Sequence, residues 1–149
     1  MREIITAALK QATKAQDKRR ISTLRLISAA IKDRDIAARG AGDGEASDAE
    51  LLELLAKMIK QREESEKIYA EAGRAELARA EAEEIVIIRE FLPLQLSDAD
   101  TEKAIADAIA EAGASSIKDM GKVMAALKSR YAGQMDFGKA SALVKSKLG

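Results

Sequence analysis

The segment EEIVIIREFLPLQLS, residues 83–97, decides how the chain folds. Its first half is apolar at helical spacing and ends at the only proline, Pro93, which disfavours helical backbone in the residue before it. Ser97 then has a residue type that often caps the start of a helix. The segment therefore predicts a boundary between two helical domains, residues 1–92 and residues 93–149.

The rest of the chain also has helical periodicity. Apolar residues recur every three or four positions, and no stretch alternates for long as a strand would. We therefore expect an all-α protein with four helices in the first domain and three in the smaller second domain. Two antiparallel hairpins are the simplest arrangement that the short connections of the first domain allow.

Caps and breakers predict where the helices begin and end. The expected N-terminal caps are Asp17, Ser47, Ser97, Ser115 or Ser116, and Asp136. The expected ends are Gly40, Gly73 and Gly113, with the fourth helix over about 74–91. Ser47 precedes Glu50 by three positions, the spacing of a capping box, in which the serine accepts from an early N–H and the glutamate reaches back.

The same periodicity predicts the buried faces. The first helix is expected to bury Ile4, Ile5, Ala8, Leu9 and Ala12. The second is expected to bury Ile21, Leu24, Ile27 and Ile31. Arg62 interrupts the apolar stripe of the third helix and Arg25 that of the second, so each is expected to reach solvent or to pair with a carboxylate between helices.

The composition argues against most catalytic chemistry. The chain has no cysteine and no histidine, which excludes disulfides, zinc sites of the Cys/His type, thiol nucleophiles and an imidazole base. Its many glutamates are typical of solvated helix faces, and RGAGDGEAS lacks the Gly-Lys-Ser/Thr of a phosphate loop. We therefore expect that the protein is not an enzyme and that it binds no cofactor and no metal ion. No apolar run approaches the roughly 20 residues that cross a bilayer, so we expect a cytoplasmic protein without a membrane partner.

The charge is distributed unevenly along the chain. Residues 1–39 carry 10 Lys/Arg against 4 Asp/Glu, residues 40–116 carry 8 against 19, and residues 117–149 carry 7 against 2. The basic ends either pair with the acidic middle across helix surfaces or form a surface for an anion. Both interpretations stay open.

The stretch SIKDMGKVMAALKSR, residues 116–130, predicts a helix with two distinct faces. Met120, Val123, Met124 and Leu127 fall together and are expected to face the core. The opposite face carries Lys118, Gly121, Lys122, Ala125, Lys128 and Ser129. An interior glycine costs about 1 kcal/mol of helix stability relative to alanine. Gly121 and Ala125 leave a strip of this face without large side chains. Because the glycine has a cost, we expect that the strip lets the backbone of a helix or of RNA come close.

A second basic feature follows at residues 133–139, GQMDFGK. Gly133 and Gly138 are expected to shape a tight turn, which leads into the start of the last helix. The outward N–H groups of a helix start favour anions, and Lys139 adds a positive charge. The turn is therefore expected to bind phosphate together with the lysine face.

Four stretches in order resemble the GatB/YqeY family: LRLISAAIKDR, KMIKQREESEKIYAEAGRAELA, EFLPLQLS and KDMGKVMAAL. In length and spacing the chain is similar to the small free-standing YqeY-like proteins, and its C-terminal region to the tail of the B subunit of glutamine-dependent tRNA amidotransferase. The resemblance implies two helical domains and contact with the elbow of tRNA. It implies no active site. Its turn differs from the shorter GRADGK-like turn of many members, with Gln134 where the arginine would stand.

The residues and the resemblance predict a non-catalytic accessory protein that binds tRNA weakly and by shape. The expected RNA-binding residues are Lys118, Gly121, Lys122, Ala125, Lys128, Gly133, Gly138 and Lys139. The alternatives are a protein-interaction adaptor, an accessory to a carbon–nitrogen ligase with glutamine as amido-N-donor, and a structural tail whose basic face meets the acidic middle of its own chain.

Overall fold

The computed structural model describes all residues, 1–149, and is helical throughout, as the sequence predicts. Seven α-helices and one 3-10 turn are present, and there is no strand. The helices are α1 (Arg2–Ala15), α2 (Lys18–Gly40), α3 (Asp48–Glu71), α4 (Ala75–Arg89), α5 (Asp98–Ala112), α6 (Met120–Tyr131) and α7 (Phe137–Leu148). None of them is long and apolar enough to span a membrane.

The chain divides into two compact units, the first Met1–Leu92 and the second Pro93–Gly149. Helices α1 to α4 lie in the first unit, and α5 to α7 lie in the second. Each unit has its own cluster of buried apolar side chains. The segment around Pro93 therefore separates two cores.

Local hydrogen bonds set several of the helix ends where the sequence predicts them. Asp17 accepts from the N–H of Arg20 at 3.2 Å, and Ser47 accepts from the N–H of Glu50 at 3.2 Å. α2 ends at Gly40, and Gly73 follows α3 with a φ of +74°, a conformation that glycine adopts without strain. In the capping box, the Glu50 carboxylate accepts from the hydroxyl of Ser47.

The core of the first unit collects one face of each helix. Its fully enclosed members include Ile5, Leu24, Ile27, Leu51, Leu55 and Ile88. The prediction for α1 is wrong at Ile4, whose side chain is 63% exposed. Ile5 and Ala12 define the buried stripe, and Ile4 lies about a quarter turn away from it around the helix.

One carboxylate joins three parts of the first unit. Asp35, near the end of α2, accepts from Arg2 Nη2 at 2.6 Å and from Arg2 Nε at 3.2 Å. The same carboxylate accepts from the N–H of Ala46 at 3.0 Å, while Arg2 donates to the carbonyl of Ala46 at 2.8 Å. The start of α1, the end of α2 and the loop before α3 are thereby held together, with α1 and α2 antiparallel.

Arg62 makes the corresponding link between α3 and α4. Its Nε donates to the Glu84 carboxylate at 2.8 Å, and both side chains are less than one-fifth exposed. Its Nη1 donates to the carbonyl of Met58 at 3.1 Å. Of the two outcomes expected for Arg62, pairing with a carboxylate between helices is therefore the one observed.

The second unit is a small three-helix unit closed by α5, α6 and α7. Its buried residues are Ala104, Ile105, Ala108, Val123, Leu127, Met135, Ala140 and Val144. Ser97 caps α5 by accepting from the N–H of Asp100 at 3.1 Å, and Gly113 follows α5 with a φ of +62°, both as predicted. Ile105 is fully buried, and Ile109 packs half-buried against the cluster.

Replacing Arg62 by methionine is expected to destabilise the protein by roughly 2 kcal/mol at neutral pH, because Glu84 stays partly buried without its partner. Burial and the charge of Glu84 raise the pKa of neighbouring Glu81, and Arg62 opposes this. The ionised carboxylate of Glu81 therefore destabilises the folded protein, and more so once Arg62 is removed. The stability deficit of Arg62→Met should accordingly shrink as pH falls towards 4.5. Urea denaturation measures it. Arg25→Met, at an exposed position, is the control; an equal loss in both variants would contradict the pairing.

Asp35→Asn is expected to destabilise the protein in a pH-dependent way. The hydrogen bonds from Arg2 and from the N–H of Ala46 lower the pKa of Asp35 below its usual 3.8. Its contribution is therefore full above pH 3.8 and disappears as pH falls through the lowered pKa. Thermal melts of the wild type and Asp35→Asn should differ at neutral pH and converge in acid. Asp33→Asn, on the exposed side of α2, should show no such gap; a gap that persists in acid contradicts the assignment.

Candidate nucleic-acid interface

Helix α6 separates an apolar face from a basic one, as its spacing predicts. Val123 and Leu127 are fully buried in the second core, and Met120 and Met124 pack half-buried against it. We call the opposite surface the α6 face, and it consists of Gly121, Lys122, Ala125, Lys128 and Ser129, all exposed. Lys118 is also exposed and lies in the 3-10 turn Ile117–Asp119 that precedes α6.

Gly121 is the second residue of α6, and the prediction that it is interior to a longer helix is wrong. The backbone runs as a 3-10 turn from Ile117 to Asp119 before α6 begins at Met120. A glycine in a first turn has fewer intrahelical hydrogen bonds to weaken than one in the middle of a helix. Its cost to stability is therefore smaller than the interior value, and the open surface above it is the stronger observation.

Within the second unit, the space above Gly121 is open. A Cβ placed on Gly121 would meet no heavy atom within 4 Å. The nearest exposed position one turn later is Ala125, whose side chain is a single methyl group. A bare strip about one helical turn long therefore lies between Lys122 and Lys128, and nothing in the packing of α6 requires it.

Neither serine before α6 acts as the predicted cap. The hydroxyl of Ser116, the residue before the 3-10 turn, accepts no capping hydrogen bond. The Asp119 carboxylate instead accepts from the N–H of Ser115 at 3.1 Å. This acidic side chain is thereby turned back towards the loop, and the local bend that it stabilises precedes the α6 face.

The lysines near the α6 face have no ionic partner. Lys118, Lys122, Lys128 and Lys139 form no ion pair, and the pair that α6 does make joins Arg130 to Glu111 of α5. In the first unit, by contrast, arginines meet the acidic middle of the chain: Arg19 contacts Glu83 at 3.2 Å, Arg34 contacts Glu50 at 2.9 Å, and Arg20 pairs with Glu90. Four of the ten Lys/Arg side chains of residues 1–39 are thus paired with carboxylates, whereas these four lysines are not.

The turn before α7 is built differently from its prediction. Gly133 has a φ of +74° and is buried, and its carbonyl accepts from the side chain of Gln95. Gln134 accepts at its carbonyl from the N–H of Leu96 at 2.8 Å. Gly133 therefore shapes the turn but is buried, whereas Gly138 lies in α7 and not in the turn, which corrects its prediction. The turn is tied to the segment that follows Pro93. Sequence spacing gave no signal for that tie.

The helix start at α7 does not offer its N–H groups outward. The Asp136 carboxylate accepts from the N–H of Gly138 at 2.8 Å and from that of Lys139 at 3.3 Å. The prediction of Asp136 as a cap is confirmed, and the prediction of outward N–H groups is wrong for the same reason. Gly138 and Lys139 are exposed, so the positive charge of this corner comes from the Lys139 side chain alone.

The carboxylates that the sequence offers for acid–base chemistry lie on exposed or half-buried helix faces. Glu63, Glu64 and Glu83 are exposed, and Glu81 is half-buried beside Glu84 and Arg62. No three acidic side chains are placed together so as to hold a metal ion. The chemistry that the α6 face can perform is electrostatic: mobile ammonium groups beside a bare strip can neutralise an anion that approaches the helix closely.

Comparison with known proteins places the whole chain in one family. A family model described as Yqey-like protein matches residues 2–148. A search of curated proteins finds no match to the chain. Because the family match covers both compact units, and because the helical fold agrees with the resemblance of its sequence stretches, the chain belongs to the YqeY-like family.

Proposed function

We propose that this protein is a non-catalytic accessory factor that binds tRNA through its second unit, in line with the resemblance of that region to the amidotransferase B-subunit tail. The observation that carries the proposal is the α6 face. Its two lysines have no ionic partner and stand on either side of a strip without side chains beyond a methyl group. No catalytic step is part of the proposal.

The charges explain why the partner is a polyanion. An unpaired exposed lysine gains little from folding, whereas a phosphate brought to it releases condensed counterions and adds free energy to binding. Lys118 and Lys139 extend the positive potential beyond the α6 face, and residues 117–149 hold only two acidic side chains against seven basic ones. The two acidic side chains are Asp119 and Asp136, and each accepts a hydrogen bond from a backbone N–H.

Recognition is expected to follow the shape of the RNA. Phosphate contacts position a ligand without reading its bases, and base stacking requires exposed aromatic rings. Tyr131 and Phe137, the aromatic residues of the second unit, are half-buried against its core. The elbow of tRNA suits such a surface, because folding brings its phosphates close together at a fixed spacing.

A protein partner is the second candidate, and one observation favours it. Ile117 is 47% exposed in the turn beside Lys118, and the bare strip of α6 is also what close helix packing requires. An apolar side chain next to a small-residue strip suits a helix of another protein. Charge reversal on the α6 face separates the two candidates, because an apolar helix interface is less sensitive to salt than a phosphate interface.

Lys122→Glu is expected to weaken tRNA binding about tenfold, or ~1.4 kcal/mol, by removing a phosphate contact and adding repulsion. For the wild type, the logarithm of the association constant should fall with that of salt by about 0.7 to 0.9 per neutralised phosphate. Fluorescence anisotropy with labelled tRNA measures both. As the control, Lys103→Glu at an exposed position of α5 changes the net charge by the same amount and should leave the affinity for tRNA near that of the wild type. Purified protein that retains no tRNA at low salt contradicts the proposal.

Gly121→Ala is expected to raise stability and lower RNA affinity together. The added methyl meets no neighbouring atom, and alanine loses less chain entropy on folding, so we expect a gain of about 0.4 to 1 kcal/mol. The same methyl narrows the bare strip and should weaken tRNA binding. Gly40→Ala, at the end of α2, also meets no atom within 4 Å and should stabilise without affecting binding. Unchanged binding in Gly121→Ala would show that the strip does not admit RNA.

A further inference from the structure

The exposed side of α7 repeats the exposed side of α6. Residues 121–129 read GKVMAALKS, and residues 138–146 read GKASALVKS. Both stretches begin at the second residue of a twelve-residue helix that follows an aspartate, Asp119 in one case and Asp136 in the other. Each position of the repeat therefore has the same place, counted from the start of the helix, in α6 and in α7.

Sequence identity in this repeat follows exposure to solvent. The identical pairs are Gly121 and Gly138, Lys122 and Lys139, Ala125 and Ala142, Lys128 and Lys145, and Ser129 and Ser146, and all ten residues are exposed. The differing pairs are Val123 and Ala140, Met124 and Ser141, Ala126 and Leu143, and Leu127 and Val144, and all eight are buried or half-buried. The outer surface therefore repeats, and the packing does not. We call the exposed surface on α7 the α7 face, and it consists of Gly138, Lys139, Ala142, Lys145 and Ser146.

Folding does not require such a repeat. The inward side chains differ because α6 and α7 fill different parts of one core. Outward positions on a helix tolerate most polar residues with small effects on stability, and glycine is among the poorest helix formers. A glycine repeated before the first lysine and an alanine repeated between the two lysines therefore indicate a requirement from outside the fold, which both helices meet in the same way.

We infer that the second unit binds two stretches of RNA backbone, one on the α6 face and one on the α7 face. The inference rests on the proposed function for the chemistry of the ligand. On each face the two lysines are six residues apart, roughly 9 Å along the helix axis, with no side chain larger than a methyl group on the line between them. Lys139 and Lys145 form no ion pair, like Lys122 and Lys128.

The two faces are separate contacts. The buried stripes of α6 and α7 meet in one core, so each exposed face points away from that core on its own helix. A ligand that uses both must present two backbone stretches, as a folded RNA does and a short single strand does not. Each contact alone is weak, and a ligand that makes both gains from the high effective concentration of the second.

Replacing the central alanine of each face by glutamate tests whether the α6 face and the α7 face are equivalent contacts. Ala125→Glu and Ala142→Glu each place a carboxylate in the middle of one face at an exposed helical position, where glutamate is a good helix former. Each is expected to weaken tRNA binding to the same extent, about tenfold, and the double variant is expected to weaken it further. Ala106→Glu, exposed on α5, adds the same charge in the same unit and should leave affinity unchanged. For the wild type, tRNA should bind more tightly than a six-nucleotide single strand.

Salt dependence provides an independent measurement. Lys122→Gln and Lys139→Gln should each reduce the salt slope of tRNA binding by about 0.7 to 0.9, and Lys103→Gln should leave it unchanged. If Ala142→Glu and Lys139→Gln match the wild type while Ala125→Glu weakens binding, the second contact is refuted and the proposed function stands. If neither face responds, or the wild type does not bind tRNA, the proposed function fails and the inference fails with it. Circular dichroism of each variant confirms that the helices are retained.

Discussion

The second unit is held together by one apolar stripe from each of its three helices, and the use of its surface depends on that constraint. Ile105, Val123, Leu127 and Val144 are fully enclosed, and smaller or half-buried apolar side chains from the same helices and their connections complete the core. A unit of this size has little apolar surface to bury, so each stripe must face inward for the helices to stay together. The outward faces have no comparable role in folding. Their composition is free of that constraint, and the unpaired lysines and the bare strips lie there.

The two units use positive charge in different ways. In the first unit arginines join helices: Arg2 binds Asp35 and Arg62 binds Glu84 in partly buried pairs. The planar guanidinium suits such fixed pairs because it donates several hydrogen bonds in one geometry. The second unit presents lysines, whose mobile and strongly hydrated ammonium groups suit contacts with a ligand whose phosphates are not at one fixed point. By formal charge the first unit holds 17 Lys/Arg against 18 Asp/Glu and the second 8 against 7, so the basic segment 117–149 belongs to a unit whose net charge is only +1.

The features that sequence predicts well are those determined within one helical turn. The caps at Asp17, Ser47 and Ser97 depend on residues three positions away, and they are found as predicted. The features that it misses depend on distant partners or on the exact start of a helix. The Arg2 and Asp35 pair spans 33 positions, and the 3-10 turn that moves Gly121 into a first turn follows no repeat in the sequence. Side-chain competition is missed as well, since Asp136 takes the N–H groups that spacing alone assigns to an anion.

The two contacts that we propose would explain how a surface without base readout can still select its ligand. A single lysine face accepts any phosphate backbone, because neither the charges nor the bare strip distinguish one sequence from another. Two faces on helices that share a core are held at a fixed separation and orientation within the second unit. An RNA gains from both only when its own fold places two backbone stretches at that separation. On this proposal selectivity would come from the fixed separation of the two faces, so the same buried stripes that hold the unit together would also determine which folded RNA fits it.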